Sequence, residues 1–176
     1  APRDVGTLDL VVARPAPGER SVLEEGELDL VVGLVGDTWA QRGSTRTEDG
    51  SSHPDMQLNV MSARMVAFLA GDPDRRALAG DQLYLDLDLS QDNLPAGTTL
   101  TIGDPAVRGA VIEVTDQPHT GCAQFIERFG VEAMRFVNGR VGRPMRLRGL
   151  NARVMTPGRV RPGDPVTVSR PAGVTG

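Results

Sequence analysis

The segment Pro118-His119-Thr120-Gly121-Cys122 holds the only cysteine of the 176-residue chain and one of its two histidines. A cysteine thiolate attacks electrophiles and ligates soft metals, and a histidine close by can hold or move the proton involved. The residues that follow read as a short helix from Gly121 to Phe129, with Thr120 as N-cap and Gly130 as the stop. That register puts Cys122 in the first turn, where free N–H groups and the positive end of the helix dipole favour a thiolate. The same residues support a second reading. Cys122, Phe125, Ile126 and Phe129 follow the spacing of a buried helical stripe, and free cysteine often serves as a small core hydrophobe. His119, next to a proline, is either part of the chemistry or an ordinary loop residue. His53 lies in a polar stretch and is the weaker candidate.

Other chemistries lack their residues. One cysteine forms no internal disulfide and two histidines add little, so a zinc cage built from protein alone is not expected. No G-x-S-x-G elbow, P-loop, dinucleotide fingerprint or H-E-x-x-H is present. All 19 basic residues are arginine. Without lysine, no Schiff base can form on a side chain, which excludes covalent pyridoxal phosphate on this chain. The net charge of −4 is unevenly spread: Arg128 to Arg161 carries nine arginines and one acid. This basic third either faces a small anion or pairs with acids elsewhere in the fold. Nucleic acid is not expected, since the whole chain is acidic and only 3% aromatic. No apolar run approaches the roughly 20 residues of a membrane span. A cytoplasmic location is expected from the cysteine usage.

Short strands must position these residues. In Gln82–Ser90, Leu83, Leu85, Leu87 and Leu89 alternate with Gln82, Tyr84, Asp86 and Asp88, the period of a half-buried strand. Leu8, Leu10 and Val12 are placed on one side of a first strand. TLTIG, GAVIEVT and DPVTVSR are further strands, set off by Gly and Pro turns. Met145 and Leu147 are apolar at odd positions, whereas Leu150, Ala152 and Val154 are apolar at even ones. The change of phase puts a bulge or bend at Gly149. Besides the Cys122 helix, one helix starts at Ser62, apolar on most sides and so expected to be buried, and another spans Val131–Val137. Many short strands with two or three peripheral short helices describe a mostly β, barrel-like fold. Residues 41–54 are expected to form a mobile loop and 171–176 a frayed tail.

Three segments in order carry a resemblance: the proline and single cysteine ahead of a short helix, Arg148–Val154 (R-G-x-x-A-R-V), and Gly158–Asp164 (G-x-V-R-x-G-D). Together with Gly36-Asp37 and the Gly80–Ser90 strand, they resemble the MOSC domain family, relatives of the C-terminal domain of molybdenum cofactor sulfurases. The resemblance runs from about Thr7 to Val168. It implies one MOSC-like domain over 1–176 with a pyruvate-kinase-type β-barrel. Two departures stand out. Gly36-Asp37 is followed by Thr38-Trp39, where many members have a basic residue and a histidine. Asn151 stands where members often have an aromatic residue.

The resemblance implies that Cys122 ligates the molybdenum of a bound molybdenum cofactor or carries a transferable sulfur. It makes Cys122 and His119 the candidate catalytic residues. Arg148, Arg153, Thr120, Asn151 and Asp37 are the candidates to hold the cofactor, with arginine forks on its phosphate. The implied activity is reduction of N-oxygenated small molecules, with a separate electron-donor protein. Two alternatives remain. One is a sulfur carrier holding a Cys122 persulfide, which would need a separate desulfurase. The other is a non-catalytic interaction domain that keeps a buried thiol.

Overall fold

A computed structural model describes residues 1–173. Its strands are β1 (Val5–Ala13), β2 (Ser21–Val22), β3 (Gly26–Asp29), β4 (Gly33–Leu34), β5 (Leu58–Ser62), β6 (Leu83–Asp86), β7 (Thr99–Ile102), β8 (Ala110–Val114), β9 (Leu150–Thr156), β10 (Gly158–Val160) and β11 (Pro165–Ser169). Its helices are α1 (Trp39–Arg42), α2 (Ala63–Ala70), α3 (Ala123–Phe129) and α4 (Val131–Asn138), with 3₁₀ turns at Pro54–Met56 and Pro73–Ala79. Seven strands close a barrel in the order β1-β11-β7-β8-β9-β5-β6, and β6 returns to β1. Closure leaves no sheet edge among the seven. The expected mostly β, barrel-like fold with short helices is the one observed.

The barrel is filled by leucine, valine and isoleucine, among them Leu8, Val11, Val60, Leu83, Leu85, Leu100, Ile112 and Leu150. Each such side chain contributes roughly 2 kcal/mol by leaving water. The leucines of Gln82–Ser90 all point into this core, as their alternation predicts. The opposite face is not solvent, however. Tyr84 is fully buried in a second cluster with Leu10, Val12, Met61 and Val66, under α2 and the 73–79 turn. These elements lie in the crossover between β5 and β6, which pair in parallel, and a parallel pair needs such a crossover.

Several expectations need correction. β1 does not keep one face: its register with β6 shifts between Leu8 and Leu10. Leu8 therefore faces the barrel while Leu10 and Val12 face α2. A bulge adds one residue and turns every later side chain over. Met145 and Leu147 are not in a strand; residues 141–148 are turns, and β9 begins only at Leu150. α2 starts after Ser62 as expected, with the Ser62 hydroxyl accepting from the Met65 N–H. It is buried on one face only, and Phe68 is 74% exposed. α3 starts at Ala123, so Cys122 is itself the N-cap residue and Thr120 lies outside the helix. Within 41–54, residues 41 and 42 close α1, and a hydroxyl bond from Ser52 to the Trp39 carbonyl ties the remaining turns back. Of the tail at 171–176, residues 174–176 lie outside the described residues.

Gly149 is where two parts of the site meet. Its φ is +112°, and a Cβ there would run into the Val60 carbonyl oxygen and come within 3.1 Å of the His119 ring. Both the backbone conformation and the contact exclude a side chain. Gly149→Ala is predicted to destabilise the fold by about 2 kcal/mol or more. Urea denaturation checks this; an unchanged midpoint would contradict the tight His119–Gly149–Val60 packing.

Candidate functional site

The site is built on two buried ion pairs. Arg14, directly after β1, meets Asp37 as a fork on a carboxylate, Nε to Oδ1 at 2.8 Å and an Nη to Oδ2 at 2.9 Å. Asp37 also accepts the backbone N–H groups of Arg14 and Trp39. Burial by itself would raise the Asp37 carboxyl, but Arg14 and these N–H donors hold it below the usual carboxylate range.

Arg148 makes the second pair. One Nη donates to both Asp81 oxygens, at 2.7 and 3.0 Å, and the other to the Ala79 carbonyl. Asp81 is fully buried and is also met by His119 Nε2 at 2.7 Å. Burial opposes its charge, and Arg148 and His119 outweigh that and keep the carboxylate ionised. Burial and then the Arg148 charge push the His119 pKa down against the pull of Asp81. The imidazole is thus neutral. Because an ionised Asp81 can only accept, Nε2 carries the hydrogen and Nδ1 is left with a lone pair.

The Arg148 guanidinium lies over the Phe125 ring, 4.9 Å from its centroid. Phe125 is the buried residue of α3, so this stacking seats the helix that Cys122 caps. Gly121 leaves room for α4, since a Cβ there would strike the Met134 sulfur. The Asn138 amide oxygen accepts the Gly121 N–H at 3.3 Å. With its backbone held this way, Cys122 has an extended conformation and makes no side-chain capping bond. Its thiol is exposed, so the buried stripe is Phe125 without the cysteine.

Cys122 borders a hollow of about 150 Å³ that Arg14, Arg20, Arg42, Arg128 and Arg148 line. Five guanidiniums against the carboxylates of Asp37 and Asp81 leave it at net +3. Among the described residues Arg20 and Arg128 form no ion pair; their recorded acceptors are the Glu19 and Leu78 carbonyls. Arg42 reaches Asp37 at only 3.8 Å. Burial, and then repulsion from Arg128, Arg14 and Arg42, lowers the Arg20 pKa. Two buried donors, Arg20 Nε and Arg148 Nε, have no partner among the described residues. Unpaired cations and orphan donors together describe a place for an anion.

The structure brings Cys122, His119, Thr120 and Arg148 together around this hollow. Thr120 is exposed on its rim. Asn151 and Asp37 act from behind. The Asn151 amide donates to the Gln117 and Pro118 carbonyls and accepts from Asn59 at 2.6 Å, which fixes the loop leading to His119. Asp37 is consumed by arginines and backbone. Arg153 does not belong: it pairs with Glu113 at 2.8 Å and Asp55 at 3.4 Å and faces a different surface. His53 caps the 54–56 turn through Nδ1, its acceptor for the Asp55 N–H. Sequence reasoning missed Arg14, Arg20 and Arg42, which lie in the acidic part of the chain, and gave no role to Asp81. Arg128 lies in the basic third but was not singled out.

The lowered His119 pKa has a consequence for stability. The unfolded chain binds this proton more tightly, so the His119 contribution is intact above pH 6.5 and is lost as pH falls through the folded-state pKa. We expect His119→Gln to flatten the fall in unfolding free energy as pH drops below 6.5. Urea titrations across that window read this out, and equal slopes in both proteins would contradict it.

No family model matches the chain, and no curated protein matches it. Solved structures do. The chain is similar to the YuaD protein of Bacillus subtilis at 15% identity and a TM-score of 0.62, over 93% of this chain and 95% of that one. YiiM of Escherichia coli matches at 21% identity and 0.59, over 96% and 73%. YiiM of Geobacillus stearothermophilus matches at 14% and 0.57, over 98% and 76%. At these identities the likeness is one of architecture, and the chain has the MOSC fold, a closed seven-stranded barrel with short helices.

Proposed function

We propose that this MOSC-fold protein binds the molybdenum cofactor, with the Cys122 thiolate as a protein ligand of the metal. The observation that carries the reading is the exposed thiol at the edge of a net cationic hollow. The residues fit such a group. Among the described residues no three His, Cys, Asp or Glu side chains gather to hold a bare metal ion. A single soft sulfur suits a metal that brings its other ligands with it. Arg20, Arg42 and Arg128, with the orphan Nε–H groups of Arg20 and Arg148, suit an anionic phosphate. When bound, the cofactor supplies oxygen-atom-transfer redox chemistry. Reduction of N-oxygenated small molecules, fed by a separate electron-donor protein, is the activity in keeping with it.

The chain's own part is to bind, orient and handle a proton. Asp81 holds His119 through Nε2, which leaves the Nδ1 lone pair of this pocket-lining residue to accept a hydrogen bond or proton. Arg148 ties that carboxylate to Phe125 and so to the Cys122 helix. Asn151 keeps the connecting loop in register.

Exposure of the thiol also favours a second reading, a sulfur carrier with a Cys122 persulfide and a separate desulfurase as donor. The third alternative, a non-catalytic interaction domain, expected a buried thiol, and on that point it is corrected, because Cys122 is exposed.

Expression in a host that makes the cofactor, followed by metal analysis, separates these readings. Molybdenum is expected in the wild type and is expected to fall by about tenfold or more in Cys122→Ser. Arg128→Gln, which removes a counter-charge but no metal ligand, should lower it less. Equal molybdenum in wild type and Cys122→Ser would end the ligand assignment. A gain of one sulfur in intact mass after incubation with a sulfur donor, lost in Cys122→Ser, would then favour the carrier.

A further inference from the structure

A second cavity, of about 360 Å³, lies across the His119–Thr120 ridge from the thiol hollow. Cys122 does not line it. Val137 and Leu150, both buried, give it an apolar floor, while Arg143 and Arg146 stand in its wall. Asp116 is the one carboxylate in its lining, and it is exposed.

Arg146 is built in an unusual way. Its φ of +48° is the only positive value at a non-glycine position among the described residues. A left-handed backbone at a bulky residue costs energy and persists only where the surroundings enforce it. Backbone hydrogen bonds hold it on both sides, from the Arg146 N–H to the Arg143 carbonyl at 3.0 Å and from the Gly149 N–H to the Arg146 carbonyl at 2.8 Å. One Nη donates to the Leu94 carbonyl at 2.6 Å, with the Leu89 carbonyl at 3.4 Å, which draws the guanidinium inward. No carboxylate pairs with it among the described residues, and burial lowers its pKa. Arg143 is exposed and likewise has no ion pair there. Arg148, shared by both cavities, keeps its buried Nε–H without a partner. A partly desolvated cation without a counter-ion, a second cation and an orphan donor beside an apolar floor form a built recognition site.

The geometry points to this cavity as a binding site for a small organic anion, a phosphate or carboxylate on an apolar body. The charged end meets Arg146 and Arg143 while the body lies on Val137 and Leu150. Arg143 and Arg146 do not line the thiol hollow, so the site is distinguishable from the cofactor reading although Arg148 lines both cavities. The two cavities share His119, Thr120 and Arg148, so such a molecule would lie across these residues from the Cys122 hollow.

The test is an amide NMR titration of the purified chain with phenyl phosphate, benzoate and the neutral benzyl alcohol. At least one anion is expected to shift the amides of Gln91, Asn138 and Gly149 and to bind about tenfold or more tightly than benzyl alcohol. Arg146→Gln and Arg143→Gln should each weaken that anion by about tenfold, whereas Arg128→Gln, in the other hollow, should change it less than about twofold. Arg143 is exposed, so its variant keeps the test decisive if Arg146→Gln fails to fold. The inference is overturned if neither anion shifts these amides, if benzyl alcohol binds as well, or if Arg128→Gln weakens the anion as much as Arg143→Gln does.

Discussion

The Asp81 carboxylate is the constraint on which the site rests. It is fully buried and accepts from Arg148 and His119 at 2.7 Å each. Burying a lone carboxylate costs several kcal/mol, so each partner is obligatory for the other. Through Arg148 the pair reaches Phe125 and the Cys122 helix; through His119 it fixes the loop between β8 and that helix. A single charge in the crossover before β6 thereby positions residues about 40 positions and more away in sequence, where no local preference could do so.

The Arg14–Asp37 pair repeats this logic on the other side of the hollow. Both pairs satisfy the cations of the floor and leave Arg20, Arg42 and Arg128 undercompensated above it. Neutral His119 adds no charge to this balance. A protein does not gather like charges for stability, because repulsion and desolvation both oppose it, as the lowered Arg20 pKa records. Such an arrangement is retained where an anion completes it. The exposed Cys122 sulfur borders that unfilled positive potential.

Much of the scaffold was legible from period and punctuation. Leu83 to Leu89 alternate because β6 and the extension after Asp86 lie against the barrel core, and Ser62 caps α2 because its hydroxyl satisfies a free N–H. What escaped was tertiary. The bulge after Leu8 costs one register step that alternation cannot show. α1 is too short for a helical period to appear. Thr120 looked like the cap of α3 because threonine caps well, yet the chain stays extended through Cys122 and turns only at Ala123. Cys122, His119 and Arg148 were legible from motif and resemblance. Arg153, in the same motif, is neutralised by Glu113 and Asp55 from neighbouring elements. Segment charge pointed to the right third of the chain for Arg128 and Arg148. It could not foresee Arg14, Arg20 and Arg42, which arrive from an acidic region only when the barrel closes.

The central claim is that the Cys122 sulfur is accessible and sits in positive potential, and its reaction with disulfide reagents measures both. Rates would be compared for an anionic aromatic disulfide and a neutral one, at low and high salt. The account predicts that both react with native protein, that the anionic reagent gains about tenfold or more at low salt, and that salt or Arg128→Gln erodes this gain. A thiol that reacts only after unfolding, or one that treats both reagents alike at every ionic strength, would contradict it.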